Sequence, residues 1–483
     1  MAADRAAQAA PGRAGPRPLY AEIADPGSLA RFGDDIEAAN PSHWPGYPDL
    51  LVRARNATGA RHAVTTGTAT VGGEACVLVG FDFRFLGGSM GTAEGARIAR
   101  AFEAAVAERL PIVCVAASGG SRMQEGTSAL LQMQAVATAI AGAQRAGIPH
   151  VAVAGDPTTG GVWSSLIAGA DVLISVPGAR VSFSGSRTRP RGADPRSPDY
   201  LAEGKWAHGF VDVLSPVPRL RDEVAAVVRL LSPRSRGDVP RRAPPPAWPG
   251  RNGDGPPAGD GPPAGHEPLG EDAWTHVTGV RGPRRARADR WLAGYFGPTV
   301  EIRGDRCGGV DPGLRCGFGC HQGVTVAFVA QTGERTTPAG FRTATRLLGL
   351  AARLRLPVLT LIDTPGAAAG PADEAAGVGP AIAELFVAMA SSPVPITSVV
   401  IGEGVSGGAL ALASPDDLWI ARDGYLAVTA PELAVSILKL GVHDIPPVAT
   451  WLRLTPDELL SRGIVRGIIG PPAGTAGQAA EER

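Results

Sequence analysis

The sequence is short of the residues on which several classes of protein depend. Its 46 Lys and Arg balance its 46 Asp and Glu, and zero net charge argues against a protein that wraps nucleic acid or an anionic membrane. Five cysteines, none in a C-x-x-C pair, are too few for a disulfide scaffold. No apolar run approaches the roughly 20 residues that cross a bilayer, and residues 1–16 lack the apolar core of a signal peptide. We therefore expect a cytoplasmic protein that binds neither nucleic acid nor a membrane.

Lysine is the scarcest charged residue. Only Lys205 and Lys439 occur, and every other basic residue is Arg. Neither lysine lies in a G-x-x-x-x-G-K-[ST] motif, so we expect no P-loop ATP chemistry. Arginine can replace lysine as a surface charge, but not where a nucleophilic amine is needed.

The chain of 483 residues is too long for one hydrophobic core, and a Pro/Gly-rich stretch divides it. Residues 233–270 contain a polyproline run and a tandem GDGPPAG, which are typical of a mostly disordered linker. We therefore predict a disordered or irregular lead at 1–50, a first domain at 51–232, the linker at 233–270 and a second domain at 271–483.

The two halves share landmarks at a nearly constant spacing. An Arg-Leu-Pro triplet at 109–111 recurs 246 residues later, at 355–357, and each copy precedes a short apolar run. Pro149 and Pro395, also 246 residues apart, each open a further apolar run, and two Gly-Gly pairs beyond them are 247 residues apart. Such a near-constant offset predicts that one fold is present twice.

Each half alternates buried-strand runs with amphipathic helices, which predicts α/β layers. Ile98, Phe102, Val106 and Leu110 are spaced four residues apart. This apolar stripe predicts a helix before the predicted strand at 113–117. The other predicted elements are strands at 113–117, 151–154, 324–329, 358–362 and 396–401 and helices at 128–146 and 340–354.

Two glycine pairs lie where a predicted strand meets a predicted helix, namely Gly160-Gly161 and Gly407-Gly408. Backbone N–H groups at a helix N-terminus favour a developing negative oxygen, which is the arrangement of an oxyanion hole. A second turn follows the preceding strand in each half, at 118–120 and 364–367. Glycine at such turns also permits close helix–strand packing, and the pattern alone leaves both interpretations open.

Longer motifs resemble a known family. In the first half, FDFRFLGGSMG (81–91), SGGSRMQEG (118–126), GDPTTGGV (155–162) and YLAEGKWAHGFVDVL (200–214) resemble the β subunit of bacterial acetyl-CoA carboxylase carboxyltransferase. In the second half, DAW (272–274), EIRGDR (301–306), LIDTPGA (361–367), IGEGVSGGAL (401–410) and LTPDELLSRGIVRGII (454–469) resemble the α subunit. The chain is thus similar to a fused β–α carboxyltransferase, which implies two tandem crotonase-like (ClpP/crotonase) domains of spiral β-β-α units.

The resemblance implies transfer of a carboxyl group from N-carboxybiotin to acetyl-CoA, giving malonyl-CoA for fatty acid or polyketide synthesis. Gly160 and Gly161 would then face the acyl-CoA carbonyl, and Gly407 and Gly408 would face biotin. The residues implied to line the same two sites are Ser118, Gly119, Gly120, Arg122, Gly366 and Ala367.

The sequence also departs from the family pattern. The usual four-cysteine zinc ribbon is absent, and the spacing of Cys307, Cys316, Cys320 and His321 fits no standard zinc site, so we expect no bound metal. The stretch 182–200 differs from the family's and the stretch 332–341 is shorter. These changes leave the acyl-CoA preference and the details of biotin binding open.

Neither lysine lies in the Ala-Met-Lys-Met context that carries biotin. The resemblance therefore implies carboxybiotin delivered in trans by a biotin carboxyl carrier protein and a separate biotin carboxylase. It also implies a homodimer whose sites are shared between a first and a second half. Three alternatives stay open: a malonyl-thioester decarboxylase, a carboxyltransferase for another acyl-CoA, and a non-catalytic subunit of a carboxylase assembly.

Overall fold

The computed structural model describes residues 17–185, 192, 194, 197–235, 240–250 and 272–470. The chain forms two compact units. The first comprises Met1–Glu203 and Leu214–Val228, and the second comprises Gly204–Val213 and Arg229–Arg483. The second unit thus includes fourteen residues, 204–213 and 229–232, that were predicted to belong to the first domain.

The first half of the chain contains one mixed eight-stranded sheet in the order β1-β2-β3-β4-β5-β6-β8, with β7 paired to β5. Its strands are β1 Ala30–Phe32, β2 Val64–Val71, β3 Glu74–Phe81, β4 Ile112–Ser118, β5 His150–Thr159, β6 Val172–Ser175, β7 Val181–Ser182 and β8 Val213–Leu214. Its helices are α1 Leu19–Ile23, α2 Tyr47–Thr58, α3 Thr92–Glu108, α4 Thr127–Arg145, α5 Gly160–Val162, α6 Ala202–Ala207 and α7 Val217–Leu231, and a π-helical turn at Trp163–Ile167 continues α5.

The second half contains another mixed eight-stranded sheet, in the order β16-β14-β13-β12-β11-β10-β9, with β15 paired to β13. Its strands are β9 Thr299–Ile302, β10 Leu314–His321, β11 Val324–Gln331, β12 Val358–Thr364, β13 Ile396–Val405, β14 Leu418–Ala421, β15 Tyr425–Ala427 and β16 Ile468–Ile469. Its helices are α8 Ala273–Arg281, α9 Ala288–Tyr295, α10 Pro338–Leu354, α11 Pro371–Ala375, α12 Val378–Ala390, α13 Ser406–Leu410, α14 Pro431–Ile437, α15 Ile445–Trp451 and α16 Pro456–Ser461.

The two sheets repeat one topology, which confirms the prediction of two α/β domains. In each sheet two antiparallel pairings lead into a parallel central part. Ile112 pairs with His150 in the first sheet and Val358 with Ile396 in the second, so both partners are shifted by 246 residues. The predicted strands and helices are all present, except that α3 ends at Glu108, before Leu110.

The structure differs from the predicted irregular lead over most of its length. Within residues 17–50, β1 pairs with β2, and Tyr20, Ile23 and Tyr47 are buried. These apolar side chains are spaced too widely to form a periodic pattern, so the sequence did not reveal that they anchor the segment. Residues 1–16 lie outside the described part of the chain.

Part of the predicted linker is built into the second unit. Ala243 is 3% exposed and belongs to the core around Trp291 and Phe328. Thr397 Oγ1 donates to the Ala243 carbonyl at 2.6 Å, and Arg242 forms an ion pair with Asp417 at 3.2 Å. Residues 240–250 are therefore a packed segment, whereas 251–271 lie outside the described residues.

Asp212 explains why residues 204–213 belong to the second unit. Its fully buried carboxylate accepts hydrogen bonds from the Arg303 backbone N–H at 2.8 Å and from Arg306 Nη2 at 2.6 Å. Arg346 Nη1 lies 3.2 Å from the same carboxylate. The EIRGDR motif therefore binds a short segment of the first-half sequence.

Within the described residues, no helix combines the length and the apolar character that crossing a membrane requires.

Candidate active site

The first glycine site forms where β4 and β5 end. Ser118 Oγ accepts the Gly120 N–H at 3.0 Å, and the Gly119 N–H donates to the Gly87 carbonyl at 2.8 Å. A Cβ atom placed on Gly120 would lie 3.3 Å from Gly160 Cα and 3.4 Å from Gly161 N. The structure thus brings the two predicted turns of the first half into contact.

The second glycine site repeats this arrangement where β12 and β13 end. Thr364 Oγ1 accepts the Gly366 N–H at 3.2 Å, as Ser118 does in the first site. A Cβ atom on Gly408 would lie 2.5 Å from Ala367 N and 2.9 Å from the Gly366 carbonyl carbon. Here too the turn and the start of the following helix pack directly against each other.

Corresponding residues of the two sites are 246 positions apart in the sequence, whereas the two glycine pairs are 247 positions apart. Gly160 (φ +63°) and Ser406 (φ +62°) are the left-handed first residues of α5 and α13. Gly161 therefore corresponds to Gly407, and Gly160 corresponds to Ser406. Residue types alone pair Gly160 with Gly407, because serine is not expected in a left-handed conformation.

Two of the four paired glycines serve backbone packing. The Gly160 N–H already donates to the Phe183 carbonyl at 3.1 Å, and a Cβ atom there would lie 3.2 Å from Gly120 Cα. Gly408 has no room for a side chain, because a Cβ atom there would lie 2.5 Å from Ala367 N. The geometry therefore favours the packing interpretation for Gly160 and Gly408.

Gly161 and Gly407 differ because each is the second residue of its helix. The first N–H groups of a helix have no intrahelical acceptor, so both can donate to a ligand oxygen. A Cβ atom on Gly407 would meet no atom within 4 Å, and one on Gly161 would first meet Ser121 Oγ at 2.6 Å, the movable end of a side chain. These two positions fit the oxyanion-hole interpretation.

A second N–H donor at each site comes from the turn. In the first site, the Met90 N–H donates to the Gly120 carbonyl, and the Met90 carbonyl accepts the Arg122 N–H. In the second site, the Thr336 N–H donates to the Gly366 carbonyl, and the Thr336 carbonyl accepts the Ala368 N–H. In a parallel bridge the residue between the two bonded positions points its N–H the other way, and these residues are Ser121 and Ala367. Ser121 was not among the site residues predicted from the sequence, although its offset of 246 residues from Ala367 could have identified it.

Arg122 lies beneath the first site and does not reach its surface. Its side chain is 0% exposed and forms ion pairs with Glu94 at 2.9 Å and Glu125 at 3.5 Å. Its Nε donates to Ser89 Oγ at 3.1 Å. Burial raises the pKa of Tyr47 well above its ordinary value, so the Tyr47 hydroxyl stays protonated and donates to Glu125 at 2.6 Å. In place of the expected substrate contact, we infer that Arg122 positions the turn.

A buried ion cluster also supports the second site. Asp363, directly before the turn, accepts hydrogen bonds from Arg285 at 2.7 and 3.0 Å and from Arg287 at 3.2 Å. Gln331 Nε2 donates to the Gly408 carbonyl at 3.1 Å and to Thr336 Oγ1 at 2.9 Å. These contacts fix the strand ends that carry Ala367 and Gly407.

Substitution of Ser406 tests whether it corresponds to Gly160. Replacing it with glycine removes a left-handed non-glycine residue, and we expect Ser406→Gly to raise the free energy of unfolding by about 1 kcal/mol. Gly160→Ser should lower it by more than that, because its Cβ atom also meets Gly120. Urea denaturation of both variants measures the difference, and equal effects in both would contradict the correspondence.

The described residues contain no group of three or more His, Cys, Asp or Glu side chains placed to hold a metal ion. Cys316 is buried, whereas Cys307 and Cys320 are exposed. His321 Nδ1 lies 2.8 Å from the Tyr295 carbonyl, and its ring stacks on Tyr295.

Comparisons with known families agree with this duplicated architecture. Residues 35–188 match the carboxyl transferase domain, and residues 270–483 match the acetyl co-enzyme A carboxylase carboxyltransferase-like domain. The acetyl-coenzyme A carboxylase carboxyl transferase subunits beta/alpha of Salinispora tropica is 38% identical over 94% of this chain and 82% of its own length. The protein of the same name from Clostridium tetani is 32% identical over 93% of this chain and 78% of its own length.

Solved structures share the fold. The 12S transcarboxylase with hydrolysed methylmalonyl-coenzyme A superimposes with a TM-score of 0.73 at 19% identity, covering 94% of this chain and 86% of that one. A single-chain, multi-domain long-chain acyl-CoA carboxylase gives a TM-score of 0.72 at 20% identity, covering 94% of this chain and 44% of that one. The chain therefore belongs to the acetyl-coenzyme A carboxylase carboxyltransferase family, with its beta-like and alpha-like parts in one polypeptide, and is a carboxyltransferase.

Proposed function

We propose that the protein transfers the carboxyl group of N-carboxybiotin to acetyl-CoA and so forms malonyl-CoA, which supplies fatty acid or polyketide synthesis in the cytoplasm. The observation that carries this proposal is the pair of matching glycine sites, 246 residues apart, each with two N–H donors free to bind a carbonyl oxygen. Two such sites could each hold the carbonyl oxygen of one of the two reactants. The names of the beta/alpha relatives support acetyl-CoA as the acceptor.

The backbone donors divide the work between the two reactants. Ser121 and Gly161 bind the thioester oxygen of the acyl-CoA, and Ala367 and Gly407 bind the ureido oxygen of biotin. The second pair fits biotin because the space above Gly407 is empty to 4 Å. When bound, carboxylated biotin supplies the carboxyl group in activated form. Each aimed N–H donor is worth about 2.7–4 kcal/mol where negative charge develops on the oxygen.

The carboxyl donor comes from other proteins. Lys205 lies within α6, with its Nζ 5.6 Å from the Phe210 ring centroid, and Lys439 lies two residues beyond the end of α14. Neither lies in the sequence context of a biotinylated lysine. We therefore propose a biotin carboxyl carrier protein and a biotin carboxylase as partners.

Exposed apolar side chains close to both glycine sites support a homodimer. Met123 and Phe183 flank the first site and are 75% and 69% exposed. Leu410, in the helix that carries Gly407, is 48% exposed. Exposed apolar groups around a site are typical of surfaces that a protein partner covers, and a second copy of the chain supplies that partner.

Carboxyl transfer with a charged carrier tests the proposal. The protein is mixed with carrier bearing ¹⁴C-carboxybiotin and with acetyl-, propionyl- or butyryl-CoA, and labelled acyl-CoA is separated. We expect malonyl-CoA as the main product, whereas labelled propionyl or butyryl product in its place would identify another acyl-CoA as the substrate. Decarboxylation of malonyl-CoA without any transfer would identify a decarboxylase, and no turnover in either direction would indicate an assembly subunit.

A further inference from the structure

The two glycine sites share one backbone but differ in charge at one corresponding position of the described residues. Met90 and Thr336 pair with the two turns, and the residues directly before them are Ser89 in the first site and Arg335 in the second. These two residues are again 246 positions apart. Because the surrounding backbone is duplicated, this difference is not required by the fold. It distinguishes the two sites chemically.

Arg335 lies over the second turn. Its Nη1 donates to the Ala367 carbonyl at 3.3 Å and lies 3.5 Å from the position that a Cβ atom on Gly366 would occupy. Its side chain is exposed, and no carboxylate of the described residues lies within the 4.0 Å of an ion pair with it. The remaining N–H groups of its guanidinium are therefore free to bind an anion beside Ala367 and Gly407.

Among the described residues, the turn of the first site carries no comparable cation. Arg122 is the arginine nearest its turn in sequence, but its side chain is fully buried and its charge is balanced by Glu94 and Glu125. Within the described part of the chain, the turn of the first site therefore offers a ligand at Ser121 and Gly161 neutral backbone donors, whereas a ligand at Ala367 and Gly407 also meets the positive charge of Arg335.

This asymmetry matches the charges of the two reactants. The carboxylated ureido group carries a carboxylate beside its carbonyl oxygen, whereas the reacting end of an acetyl thioester is neutral. We propose that Arg335 is a specificity-determining residue that binds the carboxylate of the carboxylated biotin and so assigns the donor to the second site. This inference rests on the proposed function, because it specifies how the donor is recognised.

Equilibrium binding measures this recognition without turnover. The probes are two stable biotin amides that carry an N1′-carboxymethyl group, one as the free carboxylate and one as its uncharged methyl ester. Calorimetric titration of the full-length wild-type protein should show about tenfold tighter binding of the acid than of the ester. Arg335→Gln should bind the two probes equally. Arg335→Lys should keep part of the preference, about threefold, because lysine retains the charge but not the planar fork.

Arg462→Gln is the matched control, because Arg462 is exposed on the same unit and its side chain makes no contact described for the structure. It should keep the full tenfold preference. Equal binding of acid and ester by the wild-type protein would overturn the inference, as would an unchanged preference in Arg335→Gln. Failure of both probes to bind the wild type would instead count against biotin recognition and hence against the proposed function itself. Acetyl-CoA affinity should stay within twofold in Arg335→Gln, and a larger loss would place the arginine at the acceptor.

Discussion

Replacing Gly407 with valine is expected to lower carboxyl transfer by a factor of about 10² to 10³ while the protein stays folded. The side chain would enter the open space above the N–H donors, where a Cβ atom meets nothing within 4 Å. It would therefore displace a ligand oxygen from Ala367 and Gly407, and the loss of one such donor costs about 2.7–4 kcal/mol of transition-state stabilisation. Initial rates with charged carrier and acetyl-CoA measure the loss.

Gly349→Val is the control for this substitution. Gly349 lies on the exposed side of α10, where a Cβ atom also meets nothing within 4 Å, so the variant should keep wild-type rates. Gly408→Val should instead lose stability, because its side chain would collide with the Ala367 backbone. If Gly407→Val retained wild-type turnover, the second glycine site would have no part in the reaction.

Replacing Arg122 with leucine is expected to destabilise the first unit by about 3–5 kcal/mol, because two buried carboxylates lose their counter-charge. Glu94 and Glu125 are both 0% exposed in their ion pairs with Arg122, so neither can turn to solvent without opening the core. Urea denaturation of the full chain measures the free energy of unfolding, and the transition of the first unit should move to lower urea. Arg122→Lys should lose less, because it retains the charge.

A triple variant separates the loss of charge from the loss of packing at Arg122. Adding Glu94→Gln and Glu125→Gln to Arg122→Leu removes the unpaired charges and should restore more than half of the lost stability. A variant Arg122→Leu that kept its stability but bound acetyl-CoA more than tenfold more weakly would contradict the positioning role. That outcome would restore the substrate contact expected from the sequence.

The sequence predicted the duplicated fold because duplication leaves a regular spacing. The Arg-Leu-Pro triplets mark the starts of β4 and β12, and their offset of 246 residues is also the offset of the strand register. Apolar runs between Gly and Pro then defined the buried parallel strands. These features are local, so they can be read without knowing the contacts.

The roles of individual residues in the sites could not be read in the same way. Gly408 and Gly161 have the same residue type, yet one contacts backbone and the other carries a free N–H group. Arg122 lies in a motif beside the site, but its partner Glu94 comes from a distant helix. Packing of 240–250 likewise depends on Thr397 and Asp417, far away in sequence. Long-range contacts of this kind leave no periodic signal.

The assignment of the acceptor to the first glycine site is the central claim, and acetyl-CoA binding to two valine variants tests it most directly. Calorimetric titration should show that Gly161→Val loses most of its affinity for acetyl-CoA, whereas Gly407→Val binds it as the wild type does. Loss of acetyl-CoA affinity in Gly407→Val with retention in Gly161→Val would reverse the two sites and contradict the account.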